Sequence, residues 1–89
     1  MARISMAHAE MADFSAAVRP ADTLFELGLR YCTGREVGQD LVQAHKWFNI
    51  AAMQGSADAR RYRAEISREM SAEQIAFAQR EARAWLTTH

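Results

Sequence analysis

Apolar residues recur along this chain with the period of a helix. Leu24, Leu27, Gly28 and Tyr31 share one face of a segment running from Pro20 to Thr33. Ala44, Trp47, Phe48, Ala51 and Ala52 form a second stripe between Leu41 and Gln54. Ala59, Tyr62, Ile66 and Met70 predict a third helix over Ala57 to Glu69, and Ile75, Ala78, Ala82 and Trp85 a fourth over Ala72 to Leu86. No stretch alternates with period two for long enough to predict a strand. Ile4, Met11, Phe14 and Val18 make a weaker pattern over residues 1–18, which reads equally as a capping helix or a frayed end. The pattern predicts an all-α fold: antiparallel helix pairs, about four main helices, and an N-terminal segment that is either a weak capping helix or disordered. Residues 1–19 form the N-terminal segment and 20–89 the helical domain.

Punctuation agrees with these elements. Pro20 suits a first helical turn, where its missing N–H has no intrahelical acceptor. Gly34 and Gly55 stand where the first two helices should stop. Asp40 reads as an N-cap with Gln43 three residues on, and Ser71 with Gln74 repeats that capping-box spacing.

The chain also repeats itself. Ala21 and Asp22 recur as Ala57 and Asp58, 36 residues later, and Ala44, Trp47 and Phe48 recur as Ala82, Trp85 and Leu86, 38 residues later. Two helices per unit at such a period predict stacked repeats, each burying its apolar face on a neighbour. The second copy is degenerate. It has no counterpart to the Leu27–Gly28 pair, and its turn has no glycine.

Residues 21–59 resemble the Sel-one-like repeat, a relative of the tetratricopeptide repeat. The resemblance rests, in order, on Ala21, Leu27, Gly28, Tyr31, Gly34, Val37, Asp40, Ala44, Trp47, Ala51, Ala52, Gly55 and Ala59. Glu36 departs from it, standing where the family usually has a second loop glycine. If that position needs positive φ, Glu36 implies a strained or altered loop. The resemblance implies an α-solenoid: a clear repeat over 20–56 and a divergent C-terminal capping repeat over 57–89. It also implies an adaptor role in protein complexes, with no shared reaction.

The residue types fit close helix packing. Gly28 and Ala44 are expected to face each other and let two backbones approach, since glycine inside a helix costs about 1 kcal/mol relative to alanine. Tyr31 and Trp47 are expected to fill the space beyond that contact.

Bulk properties narrow the function. A chain of 89 residues makes one domain and buries only about 60–65% of its unfolded surface, so a partner or a second copy would add stability. Apolar content of 49% excludes global disorder. With 11 basic and 11 acidic residues the formal charge is zero, without the electrostatic footprint of a nucleic-acid or membrane-surface binder. Glu10 and Asp13 interrupt any signal-peptide core, and no apolar run is long enough to span a membrane, so the expected location is cytoplasmic.

Candidate chemistry is sparse. His8, His45 and His89 lie far apart, and Cys32 is the single cysteine, so no metal or cofactor site is expected. His45 reads as a helix-surface residue near the repeat interface. Cys32 sits near a helix C-terminus, whose partial negative charge disfavours a thiolate, and reads as a packing residue. Arg60, Arg61, Arg63 and Arg68 cluster on the third helix, either as a site for an acidic segment or as a solvated face with local pairs such as Arg61 to Glu65.

The function expected is therefore a non-enzymatic interaction module with a protein or peptide partner. In tetratricopeptide-type stacks the first helix of each pair lines the concave side, and by that resemblance Glu26, Arg30, Arg60 and Arg63 are the candidate contact residues. The alternative is a self-assembling homo-oligomer such as a homodimer, because two repeats fall short of the roughly three that stacks need. A small hydrolase and a nucleic-acid binder are weaker rivals: the chain has no assembled nucleophile and base, and only the arginines of the third helix speak for the latter.

Overall fold

The computed structural model describes residues 20–88, which fold as four α-helices: α1 (Pro20–Thr33), α2 (Leu41–Met53), α3 (Ala57–Ser67) and α4 (Ala72–Thr88). The expected capping helix over residues 1–18 lies outside the described residues, as does His89. No helix among the described residues is long and apolar enough to cross a membrane.

The helix ends form as the sequence dictates, with additions. Carbonyls of the last turn of α1 find partners beyond the helix ladder. Thr33 Oγ1 donates to Leu29 O at 2.8 Å, the Gly34 and Arg35 amides donate to Arg30 O at 2.8 and 3.1 Å, and Gln39 Nε2 donates to Cys32 O at 2.9 Å. Gly34 reaches φ 78° for this closure, and Gly55 reaches φ 104° for the equivalent one after α2. Asp40 caps α2 by accepting from the Gln43 amide at 3.1 Å, while its own N–H donates to Tyr31 O at 3.0 Å. The second half of that capping box is therefore replaced by a bond back to α1. The Ser71–Gln74 box is reciprocal: Gln74 N–H donates to Ser71 Oγ at 3.1 Å and Ser71 N–H to Gln74 Oε1 at 2.9 Å. Ser56, a residue type favoured at helix starts, caps α3 by accepting from the Ala59 amide at 3.0 Å.

Two boundaries move. α3 stops at Ser67 rather than Glu69, and the amides of Arg68, Glu69 and Met70 tighten onto carbonyls three residues back. The Ser67 hydroxyl itself bonds Arg63 O at 2.8 Å, competing with the helix ladder there. α4 runs on to Thr88 because Thr87 Oγ1 and Thr88 Oγ1 donate to the carbonyls of Arg83 and Ala84.

α2 is the central element: it packs on α1, on α3 and on α4, whereas α3 and α4 share no extended interface. The second antiparallel pair expected from the sequence is thus not a closed hairpin, and α4 leans on α2 instead. Ala64, 36 residues after Gly28, is exposed, so α3 does not repeat the close contact made at Gly28.

The core forms around Phe48. Its ring lies 5.7 Å from those of Phe25 and Tyr62, and Phe25 and Tyr62 are 5.4 Å apart, so α1, α2 and α3 each give one aromatic to a single cluster. Ala44, Ala51, Ala52, Ala59 and Ile66 close around it, with Leu24, Leu29, Tyr31 and Cys32 at its edge. Gly28 meets Phe48, one turn from Ala44 on the same face of α2. A Cβ placed on Gly28 would stand 2.5 Å from Phe48 Cδ1 and 2.6 Å from Cε1. Trp47, expected in this core, faces α4, where its ring meets Trp85 edge-on at 5.6 Å and 81°. Neighbours on a helix are rotated by about 100°, so Trp47 and Phe48 serve different interfaces. Glu36 sits at φ 70°, the only non-glycine residue with positive φ among those described.

Two substitutions test this packing. Gly28→Ala should lower stability by about 1–3 kcal/mol in denaturant titration despite alanine's better helix propensity, because the methyl overlaps the Phe48 ring. In a Phe48→Leu background that loss should fall by more than half, a coupling that a double-mutant cycle reads directly. Glu36→Gly should raise stability by up to about 1 kcal/mol, since αL backbone costs a residue with a Cβ roughly 1–2 kcal/mol and glycine's extra entropy offsets only part of the relief.

Candidate interaction surface

α1 and α3 lie side by side on the same flank of α2. Phe25 touches Tyr62, and farther along both helices Cys32 feels the carboxylates of Glu65 and Glu69, so the two run in the same sense. The face these helices turn away from α2 carries exposed charged residues from both of them.

The sequence-derived contact residues divide on this frame. Glu26 and Arg30, one turn apart, are exposed on α1 opposite the side that carries Gly28. Each holds a loose pair with the following loop: Arg35 Nη2 lies 3.9 Å from Glu26 Oε1, and Arg30 Nε 3.5 Å from Glu36 Oε1. Pairs this exposed contribute little to stability and leave the charges available. Arg63 is placed differently. It is half-buried between α2 and α3, and its guanidinium donates to Asn49 Oδ1. Arg60 is exposed but lies on the flank of α3 turned from α1, because Tyr62 aims at α1 and Arg60 is rotated from it by about 160°.

The α3 residues that share a face with Glu26 and Arg30 are Arg61, Glu65 and Arg68, all exposed and spaced as one helical stripe. Of these only Arg61 and Arg68 stood in the arginine cluster noted from the sequence. Which arginines face α1 follows from the rotation of α3 about its axis, and Asn49 and Ser67 set that rotation. The expected Arg61–Glu65 pair is replaced by Arg61 Nη2 to Asp58 Oδ1 at 3.2 Å, and the Arg61 guanidinium also lies 5.8 Å from the Tyr62 ring centroid.

His45 is not on the surface. It is 2% exposed, and its Nε2 lies 3.1 Å from Ser67 Oγ. The Ser67 hydroxyl donates to Arg63 O, a group that can only accept, so the imidazole N–H donates to Ser67. That polarity is the reverse of a base drawing a proton from a nucleophile. Burial, and secondly the Arg63 cation, hold the His45 proton affinity below the ordinary histidine value, and its own backbone offsets only part of this. The Cys32 thiol is pushed up, first by burial and then by Glu69 and Glu65, which keeps it protonated near neutral pH. No group of three or more His, Cys, Asp or Glu side chains among the described residues could hold a metal ion.

No family model, curated protein or solved structure matches the chain.

The two arginines chosen from the sequence should separate by stability. Arg63→Ala should cost about 1–2 kcal/mol in thermal or denaturant unfolding, because it leaves the Asn49 amide without its partner inside the α2–α3 interface. Arg60→Ala should stay within about 0.5 kcal/mol of the parent.

Proposed function

We propose that this chain is a non-enzymatic protein–protein interaction module of helical-repeat type, with one well-formed Sel-one-like unit over 20–56 and a divergent closing unit over 57–89. The observation that carries the reading is the shared outward face of α1 and α3. Two co-directional helices, braced from behind by α2, present Glu26, Arg30, Arg61, Glu65 and Arg68 on one surface. A rigid face of mixed charge selects a partner segment by complementary charge order, which gives specificity more than raw affinity. The repeat reading draws further support from equivalent positions that behave alike: Ala44 and Ala82 are both fully buried, and Trp47 meets its counterpart Trp85 edge-on.

A second reading, self-assembly into a homo-oligomer, is favoured by Phe77. This side chain stands 46% exposed on α4, the helix that makes no closed hairpin with α3. Under this reading the melting temperature rises with protein concentration.

Affinity capture from lysate of the native host, with mass spectrometry of what co-purifies, tests the module. The combined variant Glu26→Arg, Arg30→Glu, Arg61→Glu should lose a partner recovered at near-stoichiometric level, while Arg60→Glu keeps it. A partner indifferent to the face variant would overturn the assignment of the surface. Recovery of the chain alone, with a concentration-dependent melting temperature, would replace the adaptor by self-assembly.

A further inference from the structure

Two side chains of α2, one turn apart, grip two side chains of α3, also one turn apart. His45 reaches Ser67 and Asn49 reaches Arg63, and Ser67 ties the four together by donating to the Arg63 carbonyl. The grip is buried at the His45 end and closes the α2–α3 interface beside the aromatic cluster. We propose that this junction is an acid-sensitive joint, closed while His45 is neutral and released when His45 takes up a second ring proton.

The argument rests on where that proton can go. Ser67 gives its hydrogen to Arg63 O and so receives one from His45 Nε2. The remaining nitrogen, Nδ1, is buried and has no hydrogen-bond partner. A second proton therefore creates a cation at a nitrogen shielded from solvent and without an acceptor side chain, which is costly in an interior of low polarity. The groups acting on it give no compensation from outside α2. From α3 the charged group is Arg63, which repels a cation, and Ser67 is already engaged through Nε2. From α2 itself the His45 backbone gives a weak attraction, and α1 and α4 supply no charged influence on it among the described residues.

The direction with pH follows. A histidine freed from the interface takes its proton near pH 6.5, whereas in the closed joint it does so only at lower pH. Above about pH 6.5 both forms are neutral and the joint is at full strength. As pH falls through the window below that value the open form binds the proton and the closed form does not. The open population then grows by up to about tenfold per pH unit, until the closed form also titrates. α1 and α2 remain joined through Gly28 and Phe48, which carry no titratable group, so release concerns α3. Opening frees the Arg63 guanidinium from Asn49 and lets α3 turn about its axis. This inference is independent of the docking reading, because it concerns the joint and not the partner.

The test uses the full chain and nuclear magnetic resonance. Ring nitrogen shifts give the tautomer of His45, and a pH titration its midpoint, with His8→Gln and His89→Gln identifying the other two histidines. Amide hydrogen exchange at pH 7 and at pH 5.5, corrected for intrinsic rates, gives protection along each helix. The expected result is hydrogen on Nε2, a bare Nδ1, a midpoint below the ordinary histidine value, and protection in α3 that falls with acid while α1 holds. His45→Gln keeps a neutral donor toward Ser67 and should abolish the pH dependence. The proposal is overturned by hydrogen on Nδ1, by a midpoint at the ordinary value, by α1 and α3 losing protection together, or by an unchanged acid response in His45→Gln. If His45→Gln does not fold, the ring shifts and the exchange profile of the unaltered chain decide.

Discussion

The Phe48 ring lies against the Gly28 backbone so closely that a single methyl group would collide with it. Most of the described architecture depends on that contact. It brings α1 and α2 together at a distance no larger residue permits, and it fixes Phe48 at the centre rather than at the rim. Phe25 and Tyr62 then have a ring to pack on, and α3 is drawn beside α1 because both supply an edge to the same cluster. Aromatic pairs of this kind favour tilted arrangements, which constrain orientation as well as distance.

α2 consequently works on three sides. The Phe48 side holds α1, the His45–Asn49 side holds α3, and the Trp47 side holds α4 through Trp85. Adjacent residues on one helix thus address different neighbours. No contact like that of Gly28 with Phe48 joins α3 to α4, where Ala64 and Leu86 stand 36 and 38 residues after that pair. Without it α4 is held to α2 and not to α3. The indole Nε1 of Trp47 is buried there without a partner, so this contact is less well satisfied than the core around Phe48.

The charged face of α1 and α3 is a by-product of the same geometry. Once α3 is rotated so that Arg63 meets Asn49 and Ser67 meets His45, Arg61, Glu65 and Arg68 must point away from α2. The face and the buried grip behind it are two sides of one helix. A change in the grip would re-aim the face without touching any of its residues, which gives the α2–α3 junction a weight beyond its contribution to stability.

What the sequence determined by itself was local. The period of the apolar residues placed four helices, and Pro20, Gly34, Asp40, Gly55 and Ser71 set ends that depend on bonds within a few residues. Position 36 was marked by resemblance to a repeat family and not by any local pattern, and its left-handed backbone is unfavourable for a side chain whatever its neighbours. The tertiary structure decided which face each helix turns to which neighbour. It turned Trp47 from the expected core toward α4, took His45 from the surface into an interface, and moved Arg63 from a docking surface into a structural bond. Those assignments turn on rotations of about 100° about a helix axis, and apolar spacing alone cannot resolve them when neighbouring positions are both aromatic or both arginine. Ser56 carried a cap signal, but the meeting of His45 with Ser67 left no pattern in the sequence, because 22 residues separate them and only the packing of α2 on α3 brings them within reach.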